Sequence, residues 1–274
     1  MATKTPTRPA RSRPADSRPV RSRPALSDAR LAELMGLLGG SDTVELKLTI
    51  PASQQRAAIR GLELDPLDVQ VRQVVFFDTP DLALDAAGVV VRARRIQGRP
   101  GDSVVKLRPL DPNLVDGDVR RLDGFGVEVG ALPGGFVCSG RLKCEAGSAA
   151  VRDVLLGERS PRKLFTKHQR ALFRAHAPEG IELDDLAVLG PIFVLKVKWQ
   201  PRDHARKMVA EMWLYPNGDR IFELSTKCLP SEAFQAAAEA RVYLSGRGID
   251  LESDQQTKTR TALQFFAAEL AKGR

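Results

Sequence analysis

The sequence predicts an α+β fold, in which an antiparallel sheet or barrel is accompanied by helices near both ends of the chain. Two observations predict it. Short β-branched and aromatic segments recur at close spacing between turn residues, and apolar stretches with helical spacing lie toward the two ends. The 274 residues, 43% hydrophobic and 28% charged, suffice for one large domain or two ordinary ones with a packed core.

Residues 1–26 are predicted to form a disordered basic tail. They repeat a Ser-Arg-Pro theme without apolar periodicity, so they bury too little surface to fold. The tail either solubilises the chain or contacts nucleic acid weakly through phosphate charge. Aromatic residues make up 5% of the chain, which offers little for base stacking, so nucleic acid is otherwise not expected as a partner.

The ordered part begins with a helix that Ser27 caps and Gly39 ends, followed by the strand "TVELKLTI" at 43–50. A short helix at 54–62 precedes a β-branched strand at 69–79. Further strands are predicted at 89–95, 103–109, 125–130, 141–147, 163–175, 180–186, 193–199, 209–215 and 220–227. Two helices, at 231–246 and 255–270, close the chain.

The strands share one unusual property, a polar face that is charged rather than neutral. In "TVELKLTI", Glu45 and Lys47 alternate with apolar residues, because successive side chains of a strand point to opposite faces. The same spacing of two recurs in other strands. Its pairs are Arg92 with Arg94, Lys106 with Arg108, Lys143 with Glu145, and Lys196 with Lys198, while Glu211, Glu223 and Lys227 continue the pattern near the C-terminus.

Two arrangements explain this charged face. A flat sheet places it in water, where mixed charges are ordinary. A closed barrel of about eight strands turns it inward, and clustered lysines and arginines then repel each other unless a polyanion binds among them. Carboxylates on such a face serve either as oxygen ligands for Mg²⁺ or Mn²⁺ or as salt-bridge partners for the bases.

Three motifs resemble those of the CYTH domain family, the triphosphate tunnel metalloenzymes. "VELK" at 44–47 is similar to the end of the family's E-x-E-x-K strand, and "FFDTPDLALDAAGVVVRARR" at 76–95 is similar to its Y-F-D-T-P…L…G…R-x-R-R sequence. "VVKLRP" at 104–109 resembles the K-L-R strand that follows. The resemblance covers roughly residues 42–228.

The resemblance implies a closed antiparallel eight-stranded tunnel with a charged lumen, here over residues 27–230, with the C-terminal helices of 231–274 packed on the same domain. It implies Mg²⁺ or Mn²⁺ as cofactor and assigns catalytic roles to Glu45, Lys47 and Arg92. The implied phosphate contacts are Lys47, Arg92, Arg94, Lys106, Arg108, Lys196, Lys198 and Lys227. The implied metal ligands are Glu45, Glu145, Glu211 and Glu223.

Three functions follow from the resemblance. The first is metal-dependent hydrolysis of a triphosphate, a nucleoside triphosphate or polyphosphate. The second is a class IV-type adenylate cyclase, and the third is a module that binds polyphosphate or a triphosphate without turnover. The sequence departs from the family pattern at Thr43, where the first glutamate is expected, and at Lys196 and Lys198, where many members carry acids. These departures favour anion binding over metal capture.

Overall charge and cysteine content indicate the class of ligand and the cellular compartment. A formal net charge of +8 and a pI near 9.7 fit a polyanionic ligand. Cys138, Cys144 and Cys228 form no C-x-x-C pair and no even set, which predicts free thiols and a cytoplasmic protein. No apolar run is long enough to span a bilayer, so no membrane partner is expected, and a homodimer is left open.

Overall fold

The computed structural model describes residues 27–252, 255 and 257–273. The tail at 1–26, predicted to be disordered, lies outside these residues. Within the described part, nine strands close into one barrel. They are β1 (Thr43–Ile50), β2 (Gln70–Asp78), β3 (Val89–Ile96), β4 (Arg99–Leu107), β5 (Phe125–Leu132), β6 (Gly135–Ala146), β7 (Ala187–Trp199), β8 (Met208–Leu214) and β9 (Arg220–Cys228).

The barrel is mixed rather than antiparallel. Its strand order is β1-β5-β6-β4-β3-β2-β7-β8-β9, and β9 pairs with β1 to close it. β1 and β5 run parallel, whereas the other neighbours described are antiparallel. A parallel pair needs a long connection, which the chain supplies here by building β2, β3 and β4 between the two strands. The predicted antiparallel eight-stranded barrel is therefore wrong in strand number and in this pair.

Eight α-helices accompany the barrel within the described residues. They are α1 (Asp28–Gly39), α2 (Gln55–Gly61), α3 (Ala83–Ala86), α4 (Gly117–Arg120), α5 (Ser148–Leu155), α6 (Lys167–His176), α7 (Ala233–Gly246) and α8 (Lys258–Lys272). The helices predicted at both ends of the chain are confirmed as α1, α7 and α8. Ser27 caps α1 as expected, since its hydroxyl accepts a hydrogen bond of 3.3 Å from the backbone N–H of Arg30.

The strand predicted at 163–175 is wrong, because most of this segment forms α6. Thr166 and Gln169 make a reciprocal capping box that fixes the start of the helix. Gln169, Leu172 and Phe173 are buried at helical spacing. The segment has no strand alternation of polar and apolar residues, and the capping box and this buried stripe determine the helix.

The strand predicted at 180–186 is also wrong, and the segment is a turn before β7. Gly180 has a φ of +81°, and the carboxylate of Asp185 accepts a hydrogen bond of 2.9 Å from the backbone N–H of Glu182. Leu183 and Leu186 still anchor the turn in the core. β7 then starts at Ala187, six residues earlier than the predicted strand.

The apolar core lies mainly between the outer face of the barrel and the helices. On β3, Val91 and Ala93 pack in one cluster with Val151 of α5 and Phe173 of α6. On β1, Leu48 joins a second cluster that includes residues of α7. Because side chains alternate along a strand, this outward packing leaves the intervening polar side chains on the inner face.

The last helix, α8, is held on the barrel by its apolar residues. Ala262 and Leu263 are buried in a cluster with Ile192 of β7 and Trp213 of β8. The three cysteines are free thiols, as predicted. Throughout the ranges described, no helix combines the length and the apolar character that crossing a membrane would need.

Candidate functional site

A cavity of about 310 Å³ is lined by side chains from all nine strands and from the start of α8. Among the described residues, thirteen basic and four acidic side chains line it. The basic ones are Lys47, Arg72, Arg92, Arg94, Arg99, Lys106, Arg108, Arg141, Lys143, Lys196, Lys198, Lys227 and Lys258, and the acidic ones are Glu45, Glu128, Glu211 and Glu223. This excess of bases makes the cavity the candidate site.

The eight residues predicted to contact phosphate all line this cavity. Of the predicted metal ligands, Glu45, Glu211 and Glu223 line it as well. Glu145 does not: it is exposed near the end of β6, opposite Asp102 of β4, and is not among the lining residues. The structure therefore brings together the predicted set with the exception of Glu145.

Sequence reasoning missed several lining residues. Glu128 lies on β5 between apolar neighbours, and Arg72 lies two positions before Val74 on β2. Strand alternation was therefore a signal that could have identified both residues. Lys258 is different, because it is the first residue of a helix and reaches the cavity only through the packing of α8. No strand periodicity could have found it.

Glu45 and Glu128 are paired with bases at one side of the cavity. Glu45 lies 2.9 Å from Lys47 Nζ and 4.0 Å from Lys227 Nζ. Glu128 is buried, accepts a hydrogen bond of 3.1 Å from Arg141, and also contacts Lys227. Burial works against ionisation of Glu45, but Lys47 and Lys227 outweigh it and hold the pKa of Glu45 well below its usual value. Both carboxylates thus have basic partners.

Arg94 and Asp102 form a second paired group across β3 and β4. The Arg94 guanidinium donates two hydrogen bonds to the Asp102 carboxylate, of 2.7 and 2.6 Å. Lys143 lies 3.7 Å from the same carboxylate. Burial opposes the charge on Asp102, yet Arg94 keeps the pKa of that carboxyl below its ordinary value. Arg94 is therefore fixed in orientation before any ligand binds.

Glu211 and Glu223 lie directly opposite each other on β8 and β9. Lys258 Nζ bridges them, contacting Glu211 and lying 2.7 Å from Glu223. Lys196 Nζ lies 2.6 Å from the other oxygen of Glu211. Burial lowers the pKa of Lys196 to about 8, with Glu211 opposing that shift, and the two lysines hold the pKa of Glu211 well below its ordinary value despite burial.

Six other bases of the lining have no carboxylate within ion-pair distance among the described residues. They are Arg72, Arg92, Arg99, Lys106, Arg108 and Lys198. Arg92 Nε is buried, and no described residue accepts a hydrogen bond from it. Burial, followed by the charge of Lys47, lowers the pKa of Lys106 to about 7. Burial and the neighbouring Arg94 lower the pKa of Arg92 to about 10. In both groups burial and neighbouring cations disfavour the charged form more than nearby carboxylates favour it.

The side chains present do not fit a divalent metal as they are arranged. Within the described ranges, no three His, Cys, Asp or Glu side chains group closely enough to hold a metal ion. Each acid of the lining already has a lysine or arginine partner, and the facing pair Glu211 and Glu223 is bridged by an ammonium group. What the lining offers in excess is donors for an anion.

Comparison with known proteins shows the fold. No family model and no curated protein matches the sequence. A solved structure of a candidate adenylate cyclase from Bacillus halodurans aligns with a TM-score of 0.55 at 11% identity, over 80% of this chain and 97% of that one. A candidate adenylyl cyclase from Hippeastrum, reported to have a dominant triphosphatase activity, aligns with a TM-score of 0.58 at 16% identity, over 81% and 94% of the two chains.

Proposed function

Because the chain has the CYTH fold, we propose that the protein binds a triphosphate or polyphosphate anion in its barrel cavity. One observation carries the proposal: six bases of the lining, including the half-buried Arg92 and Lys106, have no carboxylate partner among the described residues. Like charges held together at reduced dielectric repel, and phosphate oxygens relieve that repulsion.

The chemistry of the lining suits phosphate oxygens. Arginine presents a planar fork of donors, and lysine supplies a compact charge. Arg92 Nε has a hydrogen bond to gain from a ligand oxygen, because it is buried and no described residue accepts one from it. The cavity volume of about 310 Å³ falls at the lower end of the range for small-ligand sites, about 300–1,000 Å³.

Calorimetric titration with tripolyphosphate tests the proposal. We expect Arg92→Ala and Lys106→Ala each to weaken binding by at least about tenfold, the loss typical of a charge-assisted contact. Arg174→Ala is the matched control, since Arg174 is exposed on α6 and pairs with Glu182 away from the cavity. A wild-type protein that binds neither tripolyphosphate nor polyphosphate would refute the proposal.

Hydrolysis of a phosphoanhydride bond is the reaction that the fold comparison favours, because the Hippeastrum protein of this fold is reported as mainly a triphosphatase. In this reaction water attacks a phosphorus atom and a phosphate leaves. The bases of the lining would stabilise the charge that develops on the transferred group and the leaving oxygen. Arg92, Lys47 and the predicted acid Glu45 are the residues we expect this step to depend on.

Adenylate cyclase activity is the third candidate, because both solved structures are described as candidate adenylate cyclases. One experiment separates the three functions. The protein is incubated with ATP or tripolyphosphate, with Mg²⁺, with Mn²⁺ and with EDTA, and free phosphate and cyclic AMP are measured. Phosphate without cyclic AMP supports the hydrolase, cyclic AMP supports the cyclase, and binding with neither product supports the non-catalytic module.

A further inference from the structure

We propose that the ammonium group of Lys258 is the resident cation of the Glu211 and Glu223 pair, in the place where a divalent metal would otherwise bind. The cavity then takes up its phosphate ligand without a metal ion. The second statement depends on the function proposed above, whereas the first concerns only the three side chains.

The geometry of the carboxylate pair carries the inference. Glu211 and Glu223 face each other in register across β8 and β9, an arrangement that presents two carboxylates to one point. Lys258 Nζ lies at that point, in contact with Glu211 Oε2 and 2.7 Å from Glu223 Oε1. The second oxygen of Glu211 accepts a hydrogen bond of 2.6 Å from Lys196 Nζ.

Charge balance also argues against a metal here. Two ammonium groups, of Lys196 and Lys258, already neutralise the two carboxylates of Glu211 and Glu223. A divalent cation added to this group would leave a buried excess of positive charge beside the bases of the lining. It would bind only after displacing Lys258, and the displaced ammonium would join the unpaired cations.

Contacts of its backbone, its side chain and its helix hold Lys258 in place, which opposes its displacement by a metal ion. Its backbone carbonyl accepts a hydrogen bond of 3.1 Å from the hydroxyl of Tyr215, and its Nζ lies 5.2 Å from the centre of the Trp213 ring. Ala262 and Leu263, further along α8, are buried against the barrel. Burial disfavours the charge on Lys258, but Glu211 and Glu223 raise its pKa well above the ordinary value.

Binding of Mn²⁺, followed by calorimetry and by electron paramagnetic resonance, tests the first statement. We expect wild-type protein to bind Mn²⁺ negligibly in this cavity and Lys258→Met to bind it at least about tenfold more tightly, because the two carboxylates then face each other without a cation. The double variant Lys258→Met, Glu223→Gln should bind Mn²⁺ no more tightly than the wild type does. Lys272→Met is the matched control on the same helix, since Lys272 is exposed and pairs with Glu269.

Two results would overturn this statement. One is Mn²⁺ binding by wild-type protein that Glu223→Gln abolishes. The other is a folded Lys258→Met variant, judged by circular dichroism, that gains no Mn²⁺ binding. Lys258→Gln, which keeps a polar group at this position, gives a second test if the methionine variant does not fold.

Titration of wild-type protein with tripolyphosphate in EDTA and in Mg²⁺ tests the second statement. Mg²⁺ itself complexes tripolyphosphate, so we expect binding in EDTA at least as tight as in Mg²⁺, and binding that requires Mg²⁺ would overturn the statement. Failure to bind in both buffers would reject the proposed function, whereas the Mn²⁺ titrations would still report on Lys258. The two failures are therefore distinguishable.

Discussion

Arg94 and Asp102 join β3 and β4 through two parallel hydrogen bonds, of 2.7 and 2.6 Å, at the wall of the cavity. Asp102 is buried, and its carboxylate offsets the charge of Arg94 and also lies near Lys143. Because Asp102 offsets positive charge at the cavity wall, we expect this pair to link the stability of the barrel to ligand binding.

Asp102→Asn should lower the free energy of unfolding by about 3 kcal/mol, because it leaves Arg94 as an uncompensated, largely buried charge. Urea denaturation with and without tripolyphosphate measures this. We expect the ligand to stabilise the variant more than it stabilises the wild type, since the phosphate supplies the missing negative charge. Equal stabilisation of both proteins would contradict the link between this pair and the ligand.

Arg92→Met should stabilise the ligand-free protein while it weakens tripolyphosphate binding. The change removes a cation with an unpaired buried Nε and replaces it with an apolar chain of similar length, worth about 1 kcal/mol in unfolding free energy. Thermal unfolding without ligand and calorimetry with ligand give the two measurements. A less stable ligand-free variant would show that Arg92 has a structural role that its lack of partners does not reveal.

Lys106 should make ligand binding depend on pH around neutrality. Its folded pKa is lowered from 10.5 to about 7, so the free protein loses this charge as the pH rises through that value. A bound polyanion favours the protonated form, so binding takes up a proton above pH 7 and weakens as the pH rises. Calorimetry in buffers of different ionisation enthalpy detects the proton.

Lys106→Arg separates this effect from the titration of the phosphate itself. Arginine stays charged throughout the range, so the variant should lose the pH dependence centred near pH 7 and retain that of the ligand and of Lys196, whose pKa burial lowers to about 8. If the proton uptake and the pH profile of Lys106→Arg equal those of the wild type, then Lys106 is not the titrating group.

Gln169 should be required for stability although it lies outside the cavity. Its buried amide donates hydrogen bonds of 3.0 and 3.1 Å to the carbonyls of Ser103 and Leu142, and so braces β4 and β6. Gln169→Leu leaves these carbonyls without their side-chain donor and should lower the unfolding free energy by about 2 kcal/mol. His168→Ala, at the exposed neighbouring position, is the control and should leave the denaturation midpoint unchanged.

The part of the cavity lining that strands supply could be predicted from the sequence. Alternation in "TVELKLTI" and in "VVVRARR" placed Glu45, Lys47, Arg92 and Arg94 on one face, because backbone geometry dictates which way successive side chains point. The structure brings these residues to one cavity. Their roles toward phosphate or metal stay predictions.

Local patterns could not predict what depends on distant packing. Lys258 reaches the carboxylate pair because α8 docks on β7 and β8, a contact that no short segment encodes. The parallel pairing of β1 with β5 likewise depends on how the whole chain closes. The segment at 163–175 was different, because Thr166 and Gln169 form a local capping signal that the strand prediction overlooked.

The pairing of β1 with β9 has a consequence for how the protein folds. Val44 and Cys228 are register partners although 184 positions separate them in the chain. Closing so long a loop costs conformational entropy, which is offset only after the strand contacts have formed. We therefore expect this seam to be among the last contacts to form. While this seam is unformed, the bases on the inner face of the sheet would stay exposed to solvent, until β9 pairs with β1. Polyphosphate present at that stage would meet an open sheet of cations, and we expect its addition during refolding to change the rate of barrel closure.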